Sequence, residues 1–121
     1  MKKVISFLFF GLLMINACSK PVQETTSEGL KEKEFRITAK QFAFFPETIE
    51  VSKDDKVKLI VTSVDVPHGI SIPEYGINQR LNPGEPAVIE FVADKQGTFT
   101  AFCSVLCGSG HSGMKGRIIV K

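Results

Sequence analysis

At 121 residues the chain has room for one domain. Its 15 Lys and Arg stand against 13 Asp and Glu. Lys2 and Lys3 supply the whole excess, so the chain beyond residue 17 is neutral, without the basic balance expected of a nucleic-acid-binding domain.

Residues 2–17 read as a targeting segment. Lys2 and Lys3 open it, and Val4 to Ala17 is apolar apart from Ser6, Gly11 and Asn16. That run is shorter than the roughly 20 residues a helix needs to cross a bilayer, so a signal-peptide core is the better reading. The segment ends Ile15-Asn16-Ala17-Cys18. This resembles the lipobox of bacterial lipoproteins, and the resemblance implies that Cys18 is acylated and becomes the new N-terminus. The plain alternative is an ordinary signal peptide whose removal leaves a free thiol, a liability in an oxidising compartment. Residues 18–34 are rich in Glu, Lys, Ser and Thr, bury little, and read as a flexible tether.

From Phe35 short apolar runs alternate with turn chemistry. Strands are predicted near residues 35–44, 48–51, 56–63, 69–72, 87–92, 98–102 and 117–120. In the third, Val57, Leu59 and Val61 alternate with Lys56, Lys58 and Thr62, the period of a half-buried strand. Turns fall at Phe45-Pro46-Glu47, Lys53-Asp54-Asp55, Asn82-Pro83-Gly84 and Lys95-Gln96-Gly97. Many short strands at this spacing predict an all-β sandwich or barrel, one domain over residues 35–121. Phe42, Phe44 and Phe45 are expected in its core.

Metal-ligating residue types are concentrated. Beyond the leader and Cys18, the chain has His68, Cys103, Cys107, His111 and Met114 as its histidines, cysteines and methionine. Four of these five lie between Cys103 and Met114, in a predicted loop between the last two strands. Gly108, Gly110 and Gly113 let that loop turn tightly. His68 opens another strand and can reach the same end of a sandwich. Thiolate, imidazole and thioether together favour copper, and one Cys, two His and a weak Met would suffice for one ion. A second cysteine four residues away lets two thiolates bridge two ions. Two other readings compete: a simple Cys103–Cys107 disulfide, common in exported proteins, and a structural zinc site of two Cys and two His. Met114 and the sandwich pattern count against zinc. With both histidines engaged by metal, no histidine is left as a general base, so hydrolysis is poorly supported.

The run Cys103-x3-Cys107-x3-His111-x2-Met114, with Asp65-Val66-Pro67-His68-Gly69 upstream, resembles the binuclear CuA domain of cytochrome oxidase subunit II. The resemblance extends over nearly all of residues 35–121, through the Phe-x-Phe-x-Pro near Phe42, Asn82-Pro83-Gly84 and Ala93-Asp94-Lys95-x-Gly97. It implies a cupredoxin-like Greek-key β-sandwich. It also implies two coppers bridged by Cys103 and Cys107, His68 and His111 on one copper each, Met114 weakly on one, and the Val105 carbonyl weakly on the other. The family often has Glu where this chain has Val105. Its oxidase subunits carry a membrane-spanning helix, and Trp and Tyr where electrons come in. This chain has a lipoprotein-like signal, no Trp, and Tyr75 alone. The expected function is therefore a copper electron carrier, exported and lipid-anchored on the periplasmic or extracellular side of a bacterial membrane. Its expected partners are redox proteins such as a c-type cytochrome or a membrane oxidase. The alternatives are a reduced oxidase subunit II, and a copper chaperone or sensor.

Overall fold

The computed structural model describes residues 32–121. Cys18 and the 1–17 leader lie outside the described residues, as does most of the 18–34 tether. Nine strands follow in order: β1 (Glu32–Lys40), β2 (Ala43–Phe45), β3 (Thr48–Val51), β4 (Lys56–Ser63), β5 (His68–Ile72), β6 (Ile77–Leu81), β7 (Ala87–Val92), β8 (Gly97–Phe102) and β9 (Lys115–Val120). Two single-turn 3₁₀ segments, Pro73–Tyr75 and His111–Gly113, are the helical elements among the described residues.

The strands form two sheets, β2-β1-β4-β7 and β3-β9-β8-β5-β6. The pairs β1–β4 and β3–β9 are parallel and the others antiparallel. This is the Greek-key sandwich expected. Alternation explains how the sheets close on one another. Val57, Leu59, Val61 and Ser63 of β4 are buried, while the residues between them are half-exposed. Ile37 and Ala39 of β1 join them from the same sheet, and Ile49, Val51, Ile70, Ile72, Ile118 and Val120 come from the other. Each of the buried Val, Leu and Ile side chains contributes on the order of 1.5–3 kcal/mol by leaving water. No helix among the described residues is long and apolar enough to cross a membrane.

Three expectations need correction. Glu32, Lys33 and Glu34 belong to β1 and not to a tether. They pair with Lys56, Val57 and Lys58, and Lys33 Nζ lies 2.8 Å from the Asp55 carboxylate. The apolar run through residue 44 is broken after Lys40, where the chain turns back so that β2 pairs antiparallel with the end of β1. That turn sends only Phe44 inward, while Phe42 and Phe45 are exposed. Strand β6 went unpredicted. Its sequence, Ile-Asn-Gln-Arg-Leu, is polar at the centre because it forms a sheet edge.

Candidate metal centre

Strand β8 ends at Phe102 and β9 starts at Lys115, and these two residues are paired. The backbone N–H of Cys103 donates to the Met114 carbonyl at 3.1 Å, so the loop between them is pinched shut at its base. His68 is the first residue of β5, in the same sheet. Gly69 brings that strand against the loop: a Cβ there would collide with Ser104 Oγ and sit 3.1 Å from the Val105 nitrogen.

All six predicted residues converge. The Cys103 and Cys107 sulfurs lie 3.7 Å apart, and both are free. His68 Nδ1 is 3.8 Å from the Cys103 sulfur, and His111 Nδ1 is 3.7 Å from the Cys107 sulfur. Each cysteine also has its own weak donor. The Val105 carbonyl lies 3.1 Å from the Cys103 sulfur, and the Met114 thioether 3.9 Å from the Cys107 sulfur. His68 and Met114 are fully buried, the two cysteines nearly so, and His111 is half-exposed. Ligand atoms of His68, Cys103 and Cys107 all fall within 4.8 Å of one another.

Hydrogen bonding to Asp65 orients the His68 ring. Its Nε2 lies 2.8 Å from Asp65 Oδ1. Partial desolvation pushes the Asp65 carboxyl up, but the backbone N–H groups of Gln41 and Val66 and the His68 ring outweigh it and hold it down to about 2. Asp65 is thus an ionised acceptor at neutral pH, Nε2 of His68 donates to it, and Nδ1 is the ring nitrogen turned toward the cysteines. Burial, and then the neighbouring Cys103, pushes the Cys107 thiol up to about 11. Without metal it is protonated at neutral pH, and metal uptake displaces the proton.

Sequence reasoning did not assign two of these contacts. In the sequence Asp65 stands out only as part of a motif, although an acidic residue three positions before a candidate ligand is a usable signal. Gln41 had no signal: its side-chain amide donates to the Cys107 carbonyl at 2.6 Å across 66 positions of sequence. Tyr75 lies at the other end of β5, its ring tilted against Phe91 and edge-on to Phe99.

The donor set suits copper: soft sulfur and imidazole, buried, with a thioether that zinc sites rarely use. The comparisons agree. The family profile of the periplasmic domain of cytochrome c oxidase subunit II matches residues 25–121. Cytochrome c oxidase subunit 2 of Thermus thermophilus is 31% identical over 101 residues, covering 84% of this chain and 75% of that protein. The nitrous-oxide reductase of Ralstonia nicotianae is 34% identical over 109 residues, covering 87% of this chain but only 17% of the reductase. A solved heme-copper terminal oxidase dimer contains a chain that superposes with a TM-score of 0.72 at 30% identity, covering 85% of this chain and 74% of that one. The chain is a CuA-type cupredoxin domain and belongs to the family of the periplasmic domain of cytochrome c oxidase subunit II.

Proposed function

We propose that this domain is an electron carrier with a binuclear copper centre, in which Cys103 and Cys107 bridge two ions. His68 and the Val105 carbonyl would complete one ion, and His111 and Met114 the other. One observation carries the reading: each of two facing sulfurs has its own imidazole and its own weak donor. A single-ion site needs neither the second sulfur nor the second weak donor, and a disulfide needs none of the others.

Bound copper supplies a one-electron couple spread over both ions. The chain's part is to keep the donors still while the charge changes. His68 is held by its strand and by Asp65, and the other donors sit on a loop fixed at both ends by β8 and β9. Such anchoring keeps the reorganisation cost of electron transfer low. Leu106, 80% exposed, is the apolar tip of that loop, beside Cys107. We take it as the apolar surface on which a redox partner would dock.

The family is named for a periplasmic domain, which supports an exported location, and Cys18 would supply the lipid anchor. The partners we propose are a c-type cytochrome and a membrane oxidase. A second reading, the electron-input subunit of such an oxidase, is favoured by the subunit II relatives. The test is stopped-flow mixing of the copper-loaded protein with a reduced soluble c-type cytochrome. The proposal requires second-order electron exchange that Leu106→Glu slows. A loaded wild type that exchanges no electrons, yet hands its copper to an acceptor protein, would make it a copper chaperone instead.

A further inference from the structure

The turn between β1 and β2 touches both arms of the metal centre. Gln41 reaches in two directions. Its side-chain NH₂ donates to the Cys107 carbonyl at 2.6 Å, and its backbone N–H donates to Asp65 Oδ2 at 2.8 Å. The other Asp65 oxygen accepts from the Val66 N–H at 2.7 Å and faces His68 Nε2 at 2.8 Å. A continuous chain of hydrogen bonds therefore runs from the backbone of one bridging cysteine to the imidazole beside the other. The same turn is seated on the ligand loop. A Cβ at residue 110 would collide with the Phe42 ring, and one at residue 108 would lie 3.1 Å from Gln41 Nε2. Glycine at both places lets the turn come this close.

We propose that Gln41 is a positioning residue of the copper centre. It clamps the Cys103–Met114 loop to the Asp65–His68 arm and fixes the separation of the donors. The inference rests on the copper reading above, but the clamp itself is built from protein groups alone. The Cys107 carbonyl can only accept, so a neutral group of the same length without a donor breaks the first link. The turn then loses its anchor, its N–H drifts from Asp65, and His68 loses part of the support for its Nε2–H. Gln41 is exposed and outside the core, so the fold survives the change.

The experiment uses the full chain, metal-free and copper-loaded, as wild type, Gln41→Met and Gln41→Lys. In metal-free protein, nitrogen-resolved NMR should show the His68 Nε2–H exchanging with solvent about tenfold faster in Gln41→Met, because one of the donors orienting its acceptor has been released. In loaded protein, competition with a copper(I) chelator should show affinity reduced about 10–100-fold, the usual effect of removing a group that orients a ligand. The ammonium introduced by Gln41→Lys can donate to the same carbonyl, so that variant should hold affinity within about threefold of wild type. Thermal unfolding of the metal-free variants should stay close to wild type. Wild-type His68 exchange in Gln41→Met overturns the clamp. So does a loss of affinity that Gln41→Lys fails to restore while the melting temperature falls in step, because that is general destabilisation. A wild type that takes up a single copper refutes the binuclear reading alone, since the His68 exchange is read without metal.

Discussion

Gly69→Ala tests whether close approach of β5 to the ligand loop is what brings His68 to Cys103. The added methyl would collide with Ser104 Oγ, lie 3.0 Å from Val105 Cγ2 and sit 3.1 Å from the Val105 backbone nitrogen. Ser104 can yield only by rotating its hydroxyl away from Asn78 Oδ1, to which it donates at 2.8 Å. That loses a hydrogen bond of about 0.5–1.5 kcal/mol. The Val105 backbone nitrogen cannot rotate away and must shift by a few tenths of an ångström, an overpacking cost of about 1–3 kcal/mol. The sum is about 1.5–4.5 kcal/mol, which at roughly 5 °C per kcal/mol for a domain of this size is a drop in melting temperature of roughly 8–23 °C. Circular dichroism melts of metal-free protein measure it. The double variant Gly69→Ala/Ser104→Ala supplies the discriminating cycle. Ser104→Ala alone loses the hydrogen bond, but in the Gly69→Ala background it also removes the clash, so the double should be more stable than the sum of the singles by about 1 kcal/mol. Strict additivity, or a Gly69→Ala melt within about 2 °C of wild type, would refute the reasoning.

Met114→Leu should keep the fold, because the exchange conserves volume at a fully buried position and costs less than about 1.5 kcal/mol. It should still shift the reduction potential, because the thioether donates weakly to the copper and so tunes which oxidation state is favoured. Each 1.4 kcal/mol of lost preference appears as about 59 mV in voltammetry, and an unchanged potential would contradict the assignment. His111→Ala removes a strong donor from the half-exposed side and should abolish the wild-type optical spectrum on copper titration. Leu59→Ala, at the centre of β4 and 1% exposed, should cost about 2–5 kcal/mol in urea unfolding without altering that spectrum. Cys18→Ala should release the protein from membranes and end incorporation of labelled fatty acid; recovery of wild type as soluble protein unmodified at residue 18 would sink the anchor.

The parts of this molecule legible in its sequence are those written in local patterns. Strand β4 reads directly because Val57, Leu59 and Val61 face one side of a central strand. The candidate donors stand out because four of five share one loop, and their identities and spacing suggest the chemistry. Edges and surfaces were harder. Strand β6 presents Asn78, Gln79 and Arg80 to solvent and buries only Leu81, so hydropathy gave no period to detect. The break after Lys40 has no Gly or Pro at Gln41-Phe42 to mark it, and the aromatic residues around it imitate a continuous strand. Without that break Phe42 and Phe45 look like core. The links that tune the site were least visible. The contact from Gln41 to Cys107 joins residues that only the fold brings together, and nothing in a glutamine's neighbourhood announces it.

The proposed centre gives each of two facing sulfurs its own imidazole and its own weak donor, one set for each of two ions. Copper analysis of the purified, loaded protein, combined with electron paramagnetic resonance of its oxidised form, tests this most directly. The account predicts two coppers per chain and one unpaired electron shared over both nuclei, with the sharing lost in Cys103→Ser and in Cys107→Ser. One copper per chain, an electron confined to a single nucleus, or a Cys103–Cys107 disulfide in the loaded protein would contradict it.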